Sequence, residues 1–343
     1  GDHRDLHSFP TRRSSDLTIE TIYWGGGTPS QLDKEDFETI FYYLHKNYSI
    51  SSHPEITLEA NPDDLTPDYI AMLRTLPFNR LSMGIQTFNE SILKVLQRRH
   101  TARQAIEAFQ NCRAAGFQNI SIDLMYGLPG ETLSTWQQDL DQALLLHPEH
   151  LSAYHLIYEE DTVLWKLREQ HKVEEADEDL SVSLFSTLID RLTSEGYDHY
   201  EISNFSLPGL YSRHNSSYWT EKKYLGCGPS AHSYNGVSRQ WNVASLDTYI
   251  KGISAGTPVF EIEELDLYTR YNDFVITRIR TEWGMPLSKL RDEFGEKLYD
   301  YCLRMAAPHL KQGTLELVND ILKLTRKGIF ISDGIMSDML WTD

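Results

Sequence analysis

From Thr18 onward, short β-branched and apolar runs alternate with stretches whose apolar positions recur every three or four residues. Thr21–Trp24, Ile56–Ala60, Arg80–Ile85, Ile120–Met125 and Leu151–Ile157 have the length and composition of strands. Between them, Lys34–Tyr48, Pro67–Leu76, Ser91–Leu96, Ala102–Ala115 and Leu133–Leu146 carry helical spacing. Start and stop chemistry agrees with this. Thr66 precedes Pro67, and Thr101 opens a run that closes at Gly116, a residue suited to the position after a helix. Alternating strand and helix predicts an α/β protein with βα units around a parallel sheet. Two architectures fit, a doubly wound open sheet and a complete or partial (βα) barrel. Thr28, Glu59, Gln86 and Asp123 stand at or just past the C-terminal ends of the strands. A barrel gathers such residues at one mouth, whereas an open sheet gathers them only at its switch point. Their distribution favours the barrel.

Past about Glu160 the chain turns acidic and helical through Glu174–Ser194, then becomes rich in Gly, Ser, Asn, Tyr and Trp between Tyr200 and Asn242. From Thr257 it is mostly helical, closing with Leu315–Leu317, Leu322–Leu324 and a short helix from Ser332. That ending suits a small winged-helix-like domain. The expected division is 18–200 for the barrel, 201–256 for a loop-rich segment and 257–343 for the C-terminal domain. Residues 1–17 lack apolar periodicity. Their Arg- and Ser-rich character suggests a targeting peptide, but Asp2, Asp5 and Asp16 argue against one. HSFPTRRSSDL resembles translated sequencing-adapter sequence, so this leader is expected to be non-native, with the natural chain beginning upstream of Thr18.

Composition narrows the function. A net charge of −18, from 32 basic and 50 acidic residues, argues against binding nucleic-acid backbones, which requires clustered Lys and Arg. No apolar run reaches the 18 or so residues of a membrane-spanning helix. Nothing resembles a secretory core, so a cytoplasmic location is expected. Cys112, Cys227 and Cys302 are far apart with no CxxC spacing, which excludes a zinc knuckle and reads as isolated thiols in a reducing compartment.

The strongest local signal is Tyr23-Trp24-Gly25-Gly26-Gly27-Thr28-Pro29, where three glycines after a strand let backbone approach a ligand closely. The same glycines would also serve a tight βα turn. With LEANP (Leu58–Pro62), SMGIQTF (Ser82–Phe88) and DLMYGLPGET (Asp123–Thr132), the GGGTP loop resembles, in order and spacing, the radical S-adenosylmethionine (SAM) core of HemN-like proteins. The likeness runs from Thr18 to Asp343. It implies a partial (βα) radical SAM barrel lacking its first strand, with a small, mostly helical, winged-helix-like C-terminal domain. It also implies that Gly26, Gly27 and Thr28 lie beside the methionine amino group of SAM. Glu59, Gln86, Arg98 and Asp123 would contact SAM, with Ile157 a weaker match. The side chains suit that ligand. Glu59 and Asp123 accept hydroxyl protons, Gln86 donates and accepts, and Arg98 can grip a carboxylate with two bonds. Arg98, within Gln97-Arg98-Arg99-His100, would equally suit a solvated helix end. In this family a CxxxCxxC loop after the first strand ligates a 4Fe–4S cluster. The motif is absent here and the three cysteines lie outside any matching loop, so the cluster ligands are expected in a missing segment. The chain as given is then not expected to cleave SAM.

A second motif, His214-Asn215-Ser216-Ser217-Tyr218-Trp219, sits within YEISNFSLPG, RHNSSYW and YLGCGPSAHSY. HNxxYW resembles the signature of the HemW, or heme chaperone, branch, and Leu324–Leu340 resembles the close of its C-terminal domain. The resemblance implies His214 as a heme contact. A neutral imidazole ligates heme iron well, and Tyr218 and Trp219 could offer flat faces to a porphyrin. A histidine satisfied within an aromatic layer is the plainer reading, and His232 and Cys227 are nearby alternatives. Gly226-x-Gly228 lacks the third glycine and strand–helix setting of a dinucleotide loop. The implied function is a heme chaperone that delivers heme to acceptor proteins and binds SAM and a 4Fe–4S cluster when full length. Its partners would be heme and heme-accepting proteins, with membrane contact only peripheral, through those acceptors. Two other readings stand beside it. One is an oxygen-independent coproporphyrinogen III oxidase of porphyrin biosynthesis. The other is a barrel binding protein or oxidoreductase without radical chemistry.

Overall fold

The structure, a computed structural model, describes residues 18–342. The leader expected at residues 1–17 lies outside the described residues. The chain divides by contacts between His214 and Asn215 into two compact units. The first unit begins with five βα steps: β1 (Thr18–Trp24), α1 (Lys34–Asn47), β2 (Ser49–Ala60), α2 (Pro67–Leu73), β3 (Arg80–Gln86), α3 (Glu90–Val95), α4 (Ala102–Ala114), β4 (Ile120–Tyr126), α5 (Leu133–Leu145) and β5 (His150–His155). There follow α6 (Val163–Glu169), α7 (Glu178–Ser194), β6 (Asp198–Glu201) and β7 (Asn204–Ser206). The seven strands form one curled sheet, a half barrel, in the order β1-β2-β3-β4-β5-β7-β6. Strands β1 to β5 run parallel, whereas β7 pairs antiparallel with β5 and β6.

The expected helices and most of the expected strands are present within a few residues of their predicted limits, because local chemistry fixes their ends, but β2 begins at Ser49, seven residues before Ile56. Asp33, Thr101 and Thr132 each close a capping box at the start of α1, α4 and α5, and Thr66 caps α2 with Pro67 at its first position. Gly116 follows α4 at φ 98° and donates its N–H to the Arg113 carbonyl, as a left-handed helix end requires. Three differences stand out. The expected helix at Glu174–Ser194 begins only at Glu178, where Asp177 caps it. Strand β5 stops at His155, whose ring bonds the Leu156 carbonyl and Ser181, so Ile157 lies outside the sheet. The stretch from Tyr200 to Asn242 is more regular than expected, with the β6–β7 hairpin, a helix and two further strands.

The two faces of the curled sheet differ. Ile56, Leu58, Leu81, Met83, Ile85, Ile120, Ile122, Leu124 and Leu151 point one way and are buried in the apolar core. Trp24 joins that side, packed on Phe37, Phe41 and Phe78. The alternate residues are polar and face the other way. One rung, Glu59–Ser82–Ser121–His150–Ser206, crosses five strands, and the next, Gly84–Asp123–Ser152–Asn204, crosses four. Most of these polar groups satisfy one another, although the buried Ser206 Oγ has no partner. His150 bonds Ser121 Oγ and the Tyr200 hydroxyl, both at 2.7 Å, and Ser152 donates to Asn204. Curvature draws the polar face together: Tyr23 on β1 and Asp123 on β4 interact electrostatically, although a flat sheet would hold them roughly 14 Å apart.

In the second unit, α8 (Arg213–Trp219) leads from the boundary into β8 (His232–Tyr234), β9 (Ser238–Asn242), α9 (Leu246–Ser254) and β10 (Phe260–Glu264), with the strands forming a three-stranded antiparallel sheet. Next come α10 (Leu267–Ile279), β11 (Met285–Pro286), α11 (Leu287–Gln312), β12 (Leu315–Val318), β13 (Ile321–Leu324), α12 (Arg326–Ile329) and α13 (Ser332–Met339). A core of Tyr271, Phe274, Leu290, Leu298 and Ile335 joins α10, α11 and α13. The helices and the β11-β13-β12 sheet are the winged-helix-like ending that the sequence predicts. Among the described residues no helix is long and apolar enough to cross a membrane.

The turn after β4 yields a test. Glu131 accepts the N–H groups of Gly127 and Leu128 through Oε2, while its buried Oε1 has no partner. Burial pushes its carboxyl up to about 7. Between the ordinary value of 4.5 and about 7 the folded chain therefore holds a proton that the unfolded chain has lost. Stability should fall as pH rises across that window, by about 3 kcal/mol for this group. Glu131→Gln should remove that part of the slope, as read by urea midpoints at pH 5 and 8. An unchanged difference between the two midpoints would count against this account.

Candidate functional site

The glycine loop after β1 is fastened to β2 by one carboxylate. The Tyr23 hydroxyl donates to Glu59 Oε1 at 2.6 Å and the Gly26 N–H donates to Glu59 Oε2 at 3.2 Å. Gly25 must be glycine, because a Cβ there would lie 2.5 Å from the Tyr23 ring and 2.8 Å from Glu59 Oε1. Gly26 and Gly27 need glycine for a different reason. Both have positive φ, 74° and 66°, yet a Cβ on either would meet no atom within 4 Å. The loop therefore presents bare, exposed backbone beside a fixed carboxylate. Thr28 follows as the cap of a single turn of 3₁₀ helix, with no side-chain capping bond.

At the end of β3 the register slips between Gly84 and Gln86, and Gln86 adopts φ 72°, a costly conformation for a side-chain-bearing residue. Arg98 reaches the same place. Its Nη2 donates to Asn61 Oδ1 at 2.7 Å and to the Gly84 carbonyl at 2.9 Å, while its buried Nε has no partner. A Cβ on Gly84 would lie 3.0 Å from Gln86 Nε2 and 3.5 Å from Arg98 Nη2, so the three residues converge. Arg98 is no solvated helix end. Its neighbour Arg99 pairs instead with Asp63 and Asp64, and His100 is buried against the Ile85 carbonyl.

Asp123 is the fourth residue of seven in β4, in the strand rather than at its end. Ser82 Oγ lies 3.2 Å from both of its oxygens. Burial pushes its carboxyl up to about 6, against the opposing charge of Arg80 and with the like charge of Glu59. Gly26, Glu59, Gln86, Arg98 and Asp123 are thus linked through neighbouring rungs of one polar face. Ile157 lies two residues beyond β5 with its side chain 75% exposed.

His214 ends the first unit. Its Nδ1 is 2.9 Å from Thr21 Oγ1, its ring stacks on Tyr23 at 4.7 Å, and its backbone N–H donates to buried Glu55. Burial, then the charge of Arg80, pushes the imidazole down to about 4, so it is neutral at physiological pH. In the second unit Tyr218 packs edge-on against Tyr224, and the Trp219 ring is covered by the Arg280 guanidinium at 4.4 Å. Trp219 therefore presents less open aromatic surface than expected. His232 is exposed and stacks on Trp241, and Cys227 is exposed. Residues the sequence reading passed over are Tyr23, Glu55, Asn61 and Arg80. The period-two alternation of Arg80, Ser82, Gly84 and Gln86 in a buried strand was the available signal for Arg80.

The family model for the Radical SAM superfamily matches residues 12–143, and that for the HemN C-terminal domain matches residues 265–331. The solved structure of coproporphyrinogen III oxidase (HemN) from Escherichia coli, a radical SAM enzyme, shares the fold with a TM-score of 0.80 at 23% identity, over 94% of this chain and 78% of that one. The chain is thus a radical SAM superfamily protein with a HemN-type C-terminal domain. It is 32% identical over 328 residues to the heme chaperone HemW of Lactococcus lactis, covering 95% of this chain and 86% of the relative. It is also 30% identical over 324 residues to the heme chaperone HemW of Bacillus subtilis, covering 94% and 86%. It belongs to the HemW family.

The superfamily implies SAM and a 4Fe–4S cluster, and the residues present fit the two unequally. For SAM there are a glycine cradle that a Cβ would fill at Gly25, two carboxylate acceptors, and an Arg98 Nε with no protein partner. For the cluster the donor set does not fit. Cys112 and Cys302 are buried in helices α4 and α11, where burial pushes their thiols up to about 12 and about 11, away from the thiolate that ligation requires. Among the described residues no three His, Cys, Asp or Glu side chains are grouped to hold a metal ion.

The glycine loop supplies the test here. Gly25→Ala should cost about 1–3 kcal/mol through overpacking against Tyr23 and Glu59. Gly26→Ala meets open space and should cost only the left-handed backbone penalty, about 1 kcal/mol. Thermal denaturation of both variants checks the order; a larger loss at Gly26 would contradict the packing described.

Proposed function

We propose that this chain is a heme-binding chaperone of the HemW type whose half barrel binds SAM. The observation that carries the SAM reading is the linked arrangement of Gly26, Glu59, Gln86, Arg98 and Asp123 on successive βα units. SAM, when bound, supplies a ribose diol, an ammonium, a carboxylate and a sulfonium. Glu59 and Asp123 accept from the hydroxyl and ammonium groups, and Arg98 and Gln86 donate to the carboxylate. Gly26, Gly27 and Thr28 let the methionine end approach backbone. Residues 18–200 form the SAM-binding part, 201–256 the segment carrying HNxxYW, and 257–343 the C-terminal domain. No step is derived through a 4Fe–4S cluster.

The heme reading rests on family membership and on His214. Its imidazole is neutral, as an iron ligand must be, and Thr21 at Nδ1 orients the ring as outer partners orient metal-bound histidines. Heme-accepting proteins are then the partners, reached from the cytoplasm, with membrane contact only peripheral. The oxidase reading has only the fold likeness to HemN behind it.

Two measurements test these assignments separately. SAM titrated calorimetrically into the full chain should bind, and Asp123→Asn should weaken binding by about 10- to 100-fold, the worth of a charge-assisted hydrogen bond. Equal affinity would remove Asp123 from the site. Heme added to the full chain should give a Soret band that His214→Ala weakens; matching spectra for the two proteins would remove His214.

A further inference from the structure

Strands β1 and β2 pair out of step near the start of the sheet. Ile19 faces Ile50 and Thr21 faces Glu55, so Glu20 alone in β1 lies opposite four residues of β2, Ser51 to Pro54. An insertion of this kind re-aims the residue that follows it. Here that residue is Glu55, and one side chain fixes the backbone on both sides of it. Asn79 donates from Nδ2 to the Pro54 carbonyl at 2.7 Å and accepts the Ile56 N–H through Oδ1 at 2.8 Å. Glu55 is 6% exposed. Its two oxygens take two consecutive backbone donors, the Arg213 N–H at 3.0 Å on Oε2 and the His214 N–H at 2.8 Å on Oε1. These are the first two residues of α8, and the opening N–H groups of a helix have no partner within it. The insertion adds a second hold, because Arg213 Nη1 donates to the His53 carbonyl at 3.0 Å. On β1, Thr21 stands directly opposite Glu55 with its Oγ1 2.9 Å from His214 Nδ1, and Tyr23 stacks on the same ring. His214 is thus gripped at its backbone from β2 and at its ring from β1.

We propose that Glu55 is a positioning residue for His214: its buried carboxylate, presented by the insertion in β2, fixes the backbone from which the imidazole meets a ligand. A carboxylate suits this task because both of its oxygens accept. A glutamine in its place would accept one N–H and set its own NH2 group against the other. The bond from an imidazole to iron is directional, so a ring carried on a loosely held helix end would keep iron less well. Glu55 lies 159 positions from His214 and outside the HNxxYW motif, yet it governs the motif's first residue. Its functional meaning rests on the heme reading above, since that reading makes His214 the ligand.

The full chain is measured first without heme. Hydrogen exchange read by NMR should show the Arg213 and His214 amides protected in wild type. Glu55→Gln should speed exchange at one or both by about 10- to 100-fold, the worth of a hydrogen bond to a charged group. The imidazole ¹⁵N resonances of His214, assigned by their loss in His214→Ala, should move in the same variant. A merely structural carboxylate would lower the melting temperature and leave those resonances in place. Heme is then added, and its release to excess apomyoglobin should be about 10- to 100-fold faster from Glu55→Gln than from wild type, as for other outer partners of metal-bound histidines. Asn79→Ala, which keeps the carboxylate but frees the strand that presents it, should give smaller changes in the same direction, and it serves if Glu55→Gln does not fold. Wild-type amide exchange, unmoved imidazole resonances or an unchanged rate of heme release in a folded variant, any one of these, overturns the proposal. If His214→Ala takes up heme with the wild-type spectrum, the heme reading falls, and the ligand-free measurements still decide whether Glu55 sets the placement of His214.

Discussion

The structure depends on a conflict that a curled parallel sheet has to resolve. Strands buried on both faces are usually apolar throughout. Here, from β2 to β5, one face is apolar and packs the helices, while the other is almost entirely polar. A polar interior is tolerable only if each group finds a partner. The rungs do this through chains such as Ser121–His150–Tyr200 and Ser82–Asp123. Where they do not, at Arg80, Thr57 and the Nε of Arg98, the leftover polarity lies along the same face as the candidate ligand groups. Packing on one side gives the sheet its stability, and the other side carries the candidate ligand groups.

Most of the βα framework was legible because its signals are local. Capping residues, a proline at a helix start and a glycine after a helix act over four or five residues, and the elements they bound fell within a few residues of expectation. The β6–β7 hairpin was not legible. Its strands, four and three residues long, are polar and owe their existence to pairing with β5, which no local pattern announces. For the same reason the stretch through Tyr200–Asn242 read as irregular although it contains a helix and several strands.

The candidate site was legible in its residue types and less so in its connections. Glu59, Gln86, Arg98 and Asp123 were recognisable from motif and strand position. Sequence could not show that Arg98 and Arg99, adjacent in the chain, point to different partners, one to Asn61 and Gly84 and the other to Asp63 and Asp64. Nor could it show that His214, more than 150 residues from β2, is tied by its backbone to Glu55. These are contacts of tertiary folding, and the sequence separation that makes them invisible also makes them able to join distant motifs.

Tyr23 shows what that joining entails. Its hydroxyl ends on Glu59 and its ring lies against His214, so one rigid phenol touches both the carboxylate that fastens the glycine loop and the imidazole at the end of the unit. Rotating the ring to suit one neighbour disturbs the other. Whatever shifts Tyr23 at the loop must also shift its contact with the imidazole, and the coupling is equal in both directions by thermodynamic reciprocity. A single aromatic ring thus serves as a hinge between the glycine loop and the imidazole.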